Sequence, residues 1–229
     1  MEYPHNRPYT ADDLVRIITL LRDPVNGCPW DKVQTHTSIR MNFLEEAYEA
    51  VDALDLDDPV LMCEELGDVL MQVTFHTCME QETGRFTWEQ VCDGVCQKLI
   101  ERHPNIFGTQ PGYEGITDWD ALKNKEKGRR TLADDLESVP RAMPALMRAA
   151  KLQKRAARHG AALQGADAAA LADAAEHLQT AQPASEQAEQ AVGELLFAAA
   201  NLARQAGVDP EQALQKANEA FCTAAGPVA

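Results

Sequence analysis

The chain has 229 residues, 45% of them hydrophobic, enough for one large domain or two small ones. Its formal net charge of -15 disfavours stable binding to nucleic acid or to an anionic membrane, neither of which offers cations to these carboxylates. A polyanionic small substrate remains compatible if a metal ion stands between it and the acids.

In chain order, Thr10 is placed as the N-cap of a helix running to about Leu21, followed by the breaker-rich loop Arg22–Trp30. A second helix is expected from Ser38 to about Leu54. A third starts at Pro59, which suits the first turn, and runs to about Glu82, with Gly84 ending it. A fourth covers about Thr87 to Arg102 and stops at Pro104; Thr117 to about Lys127 reads as helix again. Between 129 and 160 lies a basic connector with a helix at Met147–His159 carrying Lys151, Lys154, Arg155 and Arg158, expected as an exposed linker. Ala-rich helices follow near 167–180, 185–206 and 210–224. Strand signals are nearly absent, so the fold class is all-α.

Gly67-Asp68-Val69-Leu70 recurs as Gly193-Glu194-Leu195-Leu196, each time on an apolar helix that ends at a glycine and precedes a helix bearing a lysine (Lys98, Lys216). The chain therefore reads as a tandem repeat of modules of about four helices: 1–128, the connector 129–160, and 161–229.

The chemistry points to the second and third helices. Glu45, Glu46 and Glu49 fill one arc of the second, opposite an apolar arc; alone, that pattern describes a solvated face. On the third, apolar or small residues surround the circumference between Leu61 and Met79, as in a buried helix. The main polar exceptions, Glu65, Asp68, Gln72 and His76, share a stripe about 80° wide, with Glu64 beside it. Buried carboxylates need a cation or hydrogen bonds, and no Lys or Arg occurs between Arg40 and Arg85. A hard divalent cation, Mg²⁺ or Mn²⁺, answers that need, with an acid cluster neutralised by distant arginines as the alternative. His76 is read as either a core histidine or a ligand.

Glu45-Glu46-x-x-Glu49 and, after residues 50–64, Glu65-x-x-Asp68 resemble the EExxE…ExxD signature of the MazG family of nucleoside triphosphate pyrophosphohydrolases. Gly27-Cys28-Pro29-Trp30-Asp31-Lys32, Gln34-Thr35, Arg102–Phe107, Pro144–Ala149 and Leu214–Glu219 match the family's motifs as well, in its order and over nearly the whole chain. The resemblance implies tandem MazG-like helical bundles and Mg²⁺ held by Glu46, Glu49, Glu65 and Asp68, with Glu45 in the same constellation. It implies hydrolysis of nucleoside triphosphates between the α- and β-phosphates to a monophosphate and pyrophosphate. Lys98 and Arg102 would hold phosphates, and Trp119, with Lys123 one turn beyond it, and Trp30 fall on the substrate side; surface cations and packing anchors are the alternative readings. Family members pair their modules, so a homodimer is expected.

In the second module Ala191 stands where Glu65 does, Glu194 replaces Asp68, and the first acid helix keeps only Asp173 and Glu176. That module reads as degenerate. A non-enzymatic helical scaffold with a structural metal site is therefore the second class. The absence of any Gly-Lys dipeptide excludes a P-loop, and no H-E-x-x-H is present. The six cysteines form no C-x-x-C pair, and the N-terminal stretch lacks a signal-peptide profile, so a cytoplasmic protein is expected.

Overall fold

The computed structural model describes residues 2–5, 7–104, 106–108, 126–128 and 131–226. The described residues are all-α: nine α-helices and one 3₁₀ turn, Asp31–Val33. By packing, the chain divides into two compact units, one ending at Ile116 and one beginning at Thr117. No helix among the described residues is long and apolar enough to cross a membrane.

The first unit holds α1 (Ala11–Leu21), α2 (His36–Asp55), α3 (Pro59–Glu82) and α4 (Trp88–Arg102). Their starts are written in the sequence. Thr10 and Asp13, Thr35 and Ser38, and Thr87 and Gln90 form reciprocal caps, and Asp58 receives the amides of Val60 and Leu61 ahead of Pro59. Each cap satisfies amides that have no partner inside the helix. At its other end α3 stops at Gly84, whose φ of 70° suits a residue without Cβ. There the Arg85 amide donates to the Glu80 carbonyl at 3.1 Å, closing the last turn.

α3 is the central element, with α1 and α2 packed along it and α4 against it. Ile18, Ile39, Phe75, Cys78 and Met79 form the core, joined by Leu14, Val15 and Met71. Burial on α3 is concentrated between Gln72 and Glu80. The expectation of a helix buried around its whole circumference fails in its first half, where Val60 (76% exposed), Leu66 and Leu70 face outward. Among the described residues, no element of the first unit covers that side.

Arg22 ties the loop after α1 to α3. Its guanidinium donates to both oxygens of Glu82 (2.5 and 2.8 Å) and to the Asp31 carbonyl (2.7 Å), and stacks over Phe75 at 5.2 Å. Arg22→Ala is expected to destabilise the first unit by at least about 2 kcal/mol, because these charge-assisted bonds and the stacked ring go together. Arg22→Lys recovers only part of this, having no planar fork. Thermal unfolding of both variants checks the order.

The second unit contains α5 (Leu132–Glu137), α6 (Ala145–Arg158), α7 (Ala168–Thr180), α8 (Glu186–Gln205) and α9 (Pro210–Ala225). Here α8 is central, packed on α6, α7 and α9. It ends as α3 does, at Gly207 (φ 71°), with the Val208 amide on the Ala203 carbonyl at 2.9 Å. The order α6, α7, α8, α9 thus repeats the packing of α1, α2, α3, α4.

The connector helix is therefore corrected: α6 is no exposed linker. It occupies the place in the second unit that α1 holds in the first, with Gln153, Arg155 and Ala156 buried. Arg155, 5% exposed, pairs with Asp135 of α5, 1% exposed, at 3.0 Å, and also donates to the Asp135 carbonyl and to Ser138 Oγ. The positive charge expected at the surface is partly structural.

Candidate metal centre

The polar stripe of α3 meets α2, where Gln72 bonds Glu46 and His76 stacks on His36. Its helical spacing carries it one turn beyond His76, to Glu80. Two clusters share this seam.

In the first, Glu46 and Glu49 of α2 meet Glu65 of α3, with carboxylate oxygens of all three within 4.8 Å of one another. Glu46 and Glu65 are half-buried and Glu49 is exposed. The one-turn offset of Glu46 and Glu49 places both on the side of α2 that meets α3. Burial pushes the Glu46 carboxyl above the ordinary glutamate range, opposed by a hydrogen bond from Gln72 and reinforced by the charges of Asp68, Glu49 and Glu45. Glu65 is raised by burial first, then by Asp68, Glu64 and Glu46. Both shifts mean that these groups gain by accepting a positive charge. Among the described residues no Lys or Arg pairs with any of them.

Gln72, 7% exposed, donates from Nε2 to Glu46 Oε1 at 3.4 Å, while its own Oε1 is buried without a hydrogen-bond partner. A buried acceptor amid carboxylates, which cannot themselves donate when ionised, asks for a donor from outside the protein. A water carried on a divalent cation would supply one. The all-oxygen donor set also fits a hard ion such as Mg²⁺ or Mn²⁺.

The second cluster pins the seam. His76 Nδ1 and His36 Nδ1 lie 2.7 Å apart with their rings stacked, so one donates and the other accepts. His36 Nε2 reaches Glu80 Oε1 at 2.5 Å, and Arg85 closes on the same carboxylate at 2.5 Å. Burial lowers the His76 pKa, and His36 lowers it further. His76 is thus a hydrogen-bonded seam residue outside the acid trio. Sequence reasoning missed Glu80 and His36; the signal for Glu80 was its place four residues after His76 on the same stripe.

The other expected site residues sit as follows. Asp68 is half-buried and outside the converging trio, although its charge acts on Glu46 and Glu65. Glu45 is exposed beside Glu46. Lys98 is exposed on α4, with Arg102 half-buried one turn later. Trp30 is 57% exposed, and its carbonyl accepts from Gln34 Nε2 at 2.9 Å. Trp119 and Lys123 lie outside the described residues, as does most of the helix expected at 117–127.

In the second unit Ala191 is 2% exposed on α8, and Asp173, Glu176 and Glu194 are exposed, Glu194 accepting from Gln190 at 2.8 Å. Among the described residues, the trio of the first unit is the only cluster with metal-ligand spacing.

Comparison with known proteins adds to this geometry. The MazG nucleotide pyrophosphohydrolase domain matches residues 34–107, a span containing both clusters. The chain is 40% identical, over 224 residues, to the nucleoside triphosphate pyrophosphohydrolase of Escherichia coli (strain K12), covering 92% of this chain and 83% of that one. It is 39% identical to the nucleoside triphosphate pyrophosphohydrolase/pyrophosphatase MazG of Thermotoga maritima, with 92% and 82% covered. With the nucleoside triphosphate pyrophosphohydrolase of Mycobacterium tuberculosis it shares 34% identity over 66% of this chain and 46% of that one.

Proposed function

The chain belongs to the MazG nucleotide pyrophosphohydrolase family, and from that premise we propose that it hydrolyses nucleoside triphosphates at the α–β phosphate bond, releasing a monophosphate and pyrophosphate, with its active centre in the first unit. The observation that carries the proposal is the convergence of Glu46, Glu49 and Glu65 with no described cationic partner, beside the orphaned Gln72 oxygen. Glu46, Glu49, Glu65 and Asp68 would hold Mg²⁺, with Mn²⁺ as an acceptable substitute. When bound, the ion neutralises phosphate oxygens and lowers the pKa of a coordinated water.

The remaining roles fall to side chains of this chain. Glu45 or Glu49, the more exposed acids, orients the attacking water and takes its proton. Gln72 holds Glu46 in place through its amide. Lys98 and Arg102 bind the phosphates, and Trp30, Trp119 and Lys123 complete the substrate side. Lys98→Ala is expected to raise KM about tenfold and to leave kcat nearly unchanged, the signature of a lost charge-assisted bond made equally in ground and transition states. Steady-state kinetics on the preferred triphosphate checks it.

A homodimer completes the proposal: the exposed Leu66 and Leu70 on α3 and Val51 and Leu54 on α2 are apolar area that a second copy would cover. We place the enzyme in the cytoplasm and assign it no stable nucleic-acid partner and no membrane association, in line with its -15 charge. The scaffold reading is favoured by one observation, the loss of the acids from the second unit, and the same experiment decides between them. The purified chain is incubated with each common triphosphate and Mg²⁺. Equal yields of monophosphate and pyrophosphate, abolished by chelator, support the enzyme. Orthophosphate together with the nucleoside diphosphate in place of pyrophosphate, or no product, overturns it.

A further inference from the structure

The second unit, which lacks the acid trio, carries a different feature. Between α6, the end of α8 and the start of α9 lies a cavity of about 430 Å³, within the range of small-molecule sites. Lys151 and Lys154 of α6 and Arg204 of α8 line it. In a chain with 36 acidic against 21 basic residues, three cations lining one cavity is the reverse of the net charge. Neither lysine forms an ion pair among the described residues.

The third cation is aimed by a buried neutral group. Asn201, 2% exposed, is fixed through its Nδ2 on the Ala166 carbonyl at 2.6 Å, and its Oδ1 accepts Arg204 Nε and Nη2 at 3.0 and 2.8 Å. This bond orients the guanidinium without neutralising it. The one acid in the lining, Asp209, spends its carboxylate on the amides of Glu211 and Gln212 at the start of α9, at 2.9 and 3.1 Å. Beside the charges the lining includes Met143, Met147, Val208 and Pro210, apolar surface in the same cavity.

We propose that this cavity is a metal-independent binding site for a nucleoside di- or triphosphate, its phosphates held by Lys151, Lys154 and Arg204 and its base against the methionines. Cations supply charge-assisted bonds to phosphate oxygens, and the thioether side chains offer a soft surface to a flat ring. The assignment does not depend on the acids of the first unit.

The test is equilibrium binding of ADP to the full chain in chelator, in a Glu65→Ala background so that neither hydrolysis nor metal-mediated capture contributes. One ADP per chain is expected, weakening with added salt as a charge-driven site must. Lys151→Ala/Lys154→Ala should weaken it tenfold or more with circular dichroism unchanged, Lys154 being exposed, Lys151 only half-buried, and neither in an ion pair among the described residues. Pyrophosphate should bind more weakly than ADP. No ADP binding at millimolar concentration, or unaltered affinity in the double variant, overturns the site. Pyrophosphate binding as tightly as ADP overturns the nucleotide class. Loss of triphosphate hydrolysis alone leaves these readouts untouched, so failure of the two proposals is distinguishable.

Discussion

Glu65→Ala and Asp68→Asn are each expected to lower kcat/KM by roughly three orders of magnitude or more, while the fold persists. A bound divalent ion supplies several kcal/mol of transition-state charge stabilisation, and each 1.36 kcal/mol is about tenfold in rate. Folding should not suffer, because Glu65 is an acid among acids and its removal relieves repulsion. Its raised carboxyl, like that of Glu46, sets the sign of the pH dependence. A group whose folded pKa lies above its unfolded value contributes stability fully present below the unfolded pKa, about 4.3 for glutamate, and loses it as pH rises through the folded value. In chelator, these two groups therefore favour the folded state at mildly acidic pH and lose that effect towards neutrality. Added Mg²⁺ should reverse the loss at pH 7 and do little near pH 4, where protons hold the ligands. Thermal unfolding with and without Mg²⁺ across this range gives the pattern; Glu65→Ala should flatten it. Unaltered hydrolysis in both variants would remove the first unit as the catalytic one.

Asp135→Ala is the largest expected loss of stability, about 3–5 kcal/mol in the second unit, because it leaves the Arg155 guanidinium charged in a buried place. Asp135 and Arg155 are 1% and 5% exposed, so water cannot take over the lost partner. His159, 3.3 Å from the same carboxylate, loses its partner as well. Asp135→Asn should cost less, since an amide oxygen still turns a partial negative charge towards Arg155, whose bonds to the residue 135 carbonyl and Ser138 Oγ remain. Asp135→Leu/Arg155→Met should recover much of the loss, both charges going together. Urea unfolding followed by circular dichroism ranks the three; a double variant no better than Asp135→Ala would show that the site needs its polarity.

Helix starts were legible where local chemistry marks them: Thr10 and Pro59 announce two of them, and Gly84 and Gly207 announce ends, whereas the second helix begins at His36 behind the Thr35 cap, two residues before the expected Ser38. α5 was missed because six residues are too few to show a periodicity. The trio was legible through spacing on two helices. The clamp of His36 and Arg85 on Glu80 was not, since it joins residues 44 and 5 apart in sequence whose meeting depends on how α2 lies along α3. Arg155 reads as surface charge from sequence for the same reason: its partner, Asp135, stands on a helix that the sequence pattern does not reveal.

The two ends of the α2–α3 seam are both tethered, by residues 56–58 at one tip and by the His36–Glu80–Arg85 links at the other, with the acids between them. Like a bow strung at both tips, the pair holds its like charges at close quarters with a chain link at one end and a charged clamp at the other. Severing the clamp, and not the acids, would therefore be the way to let the charges drift apart.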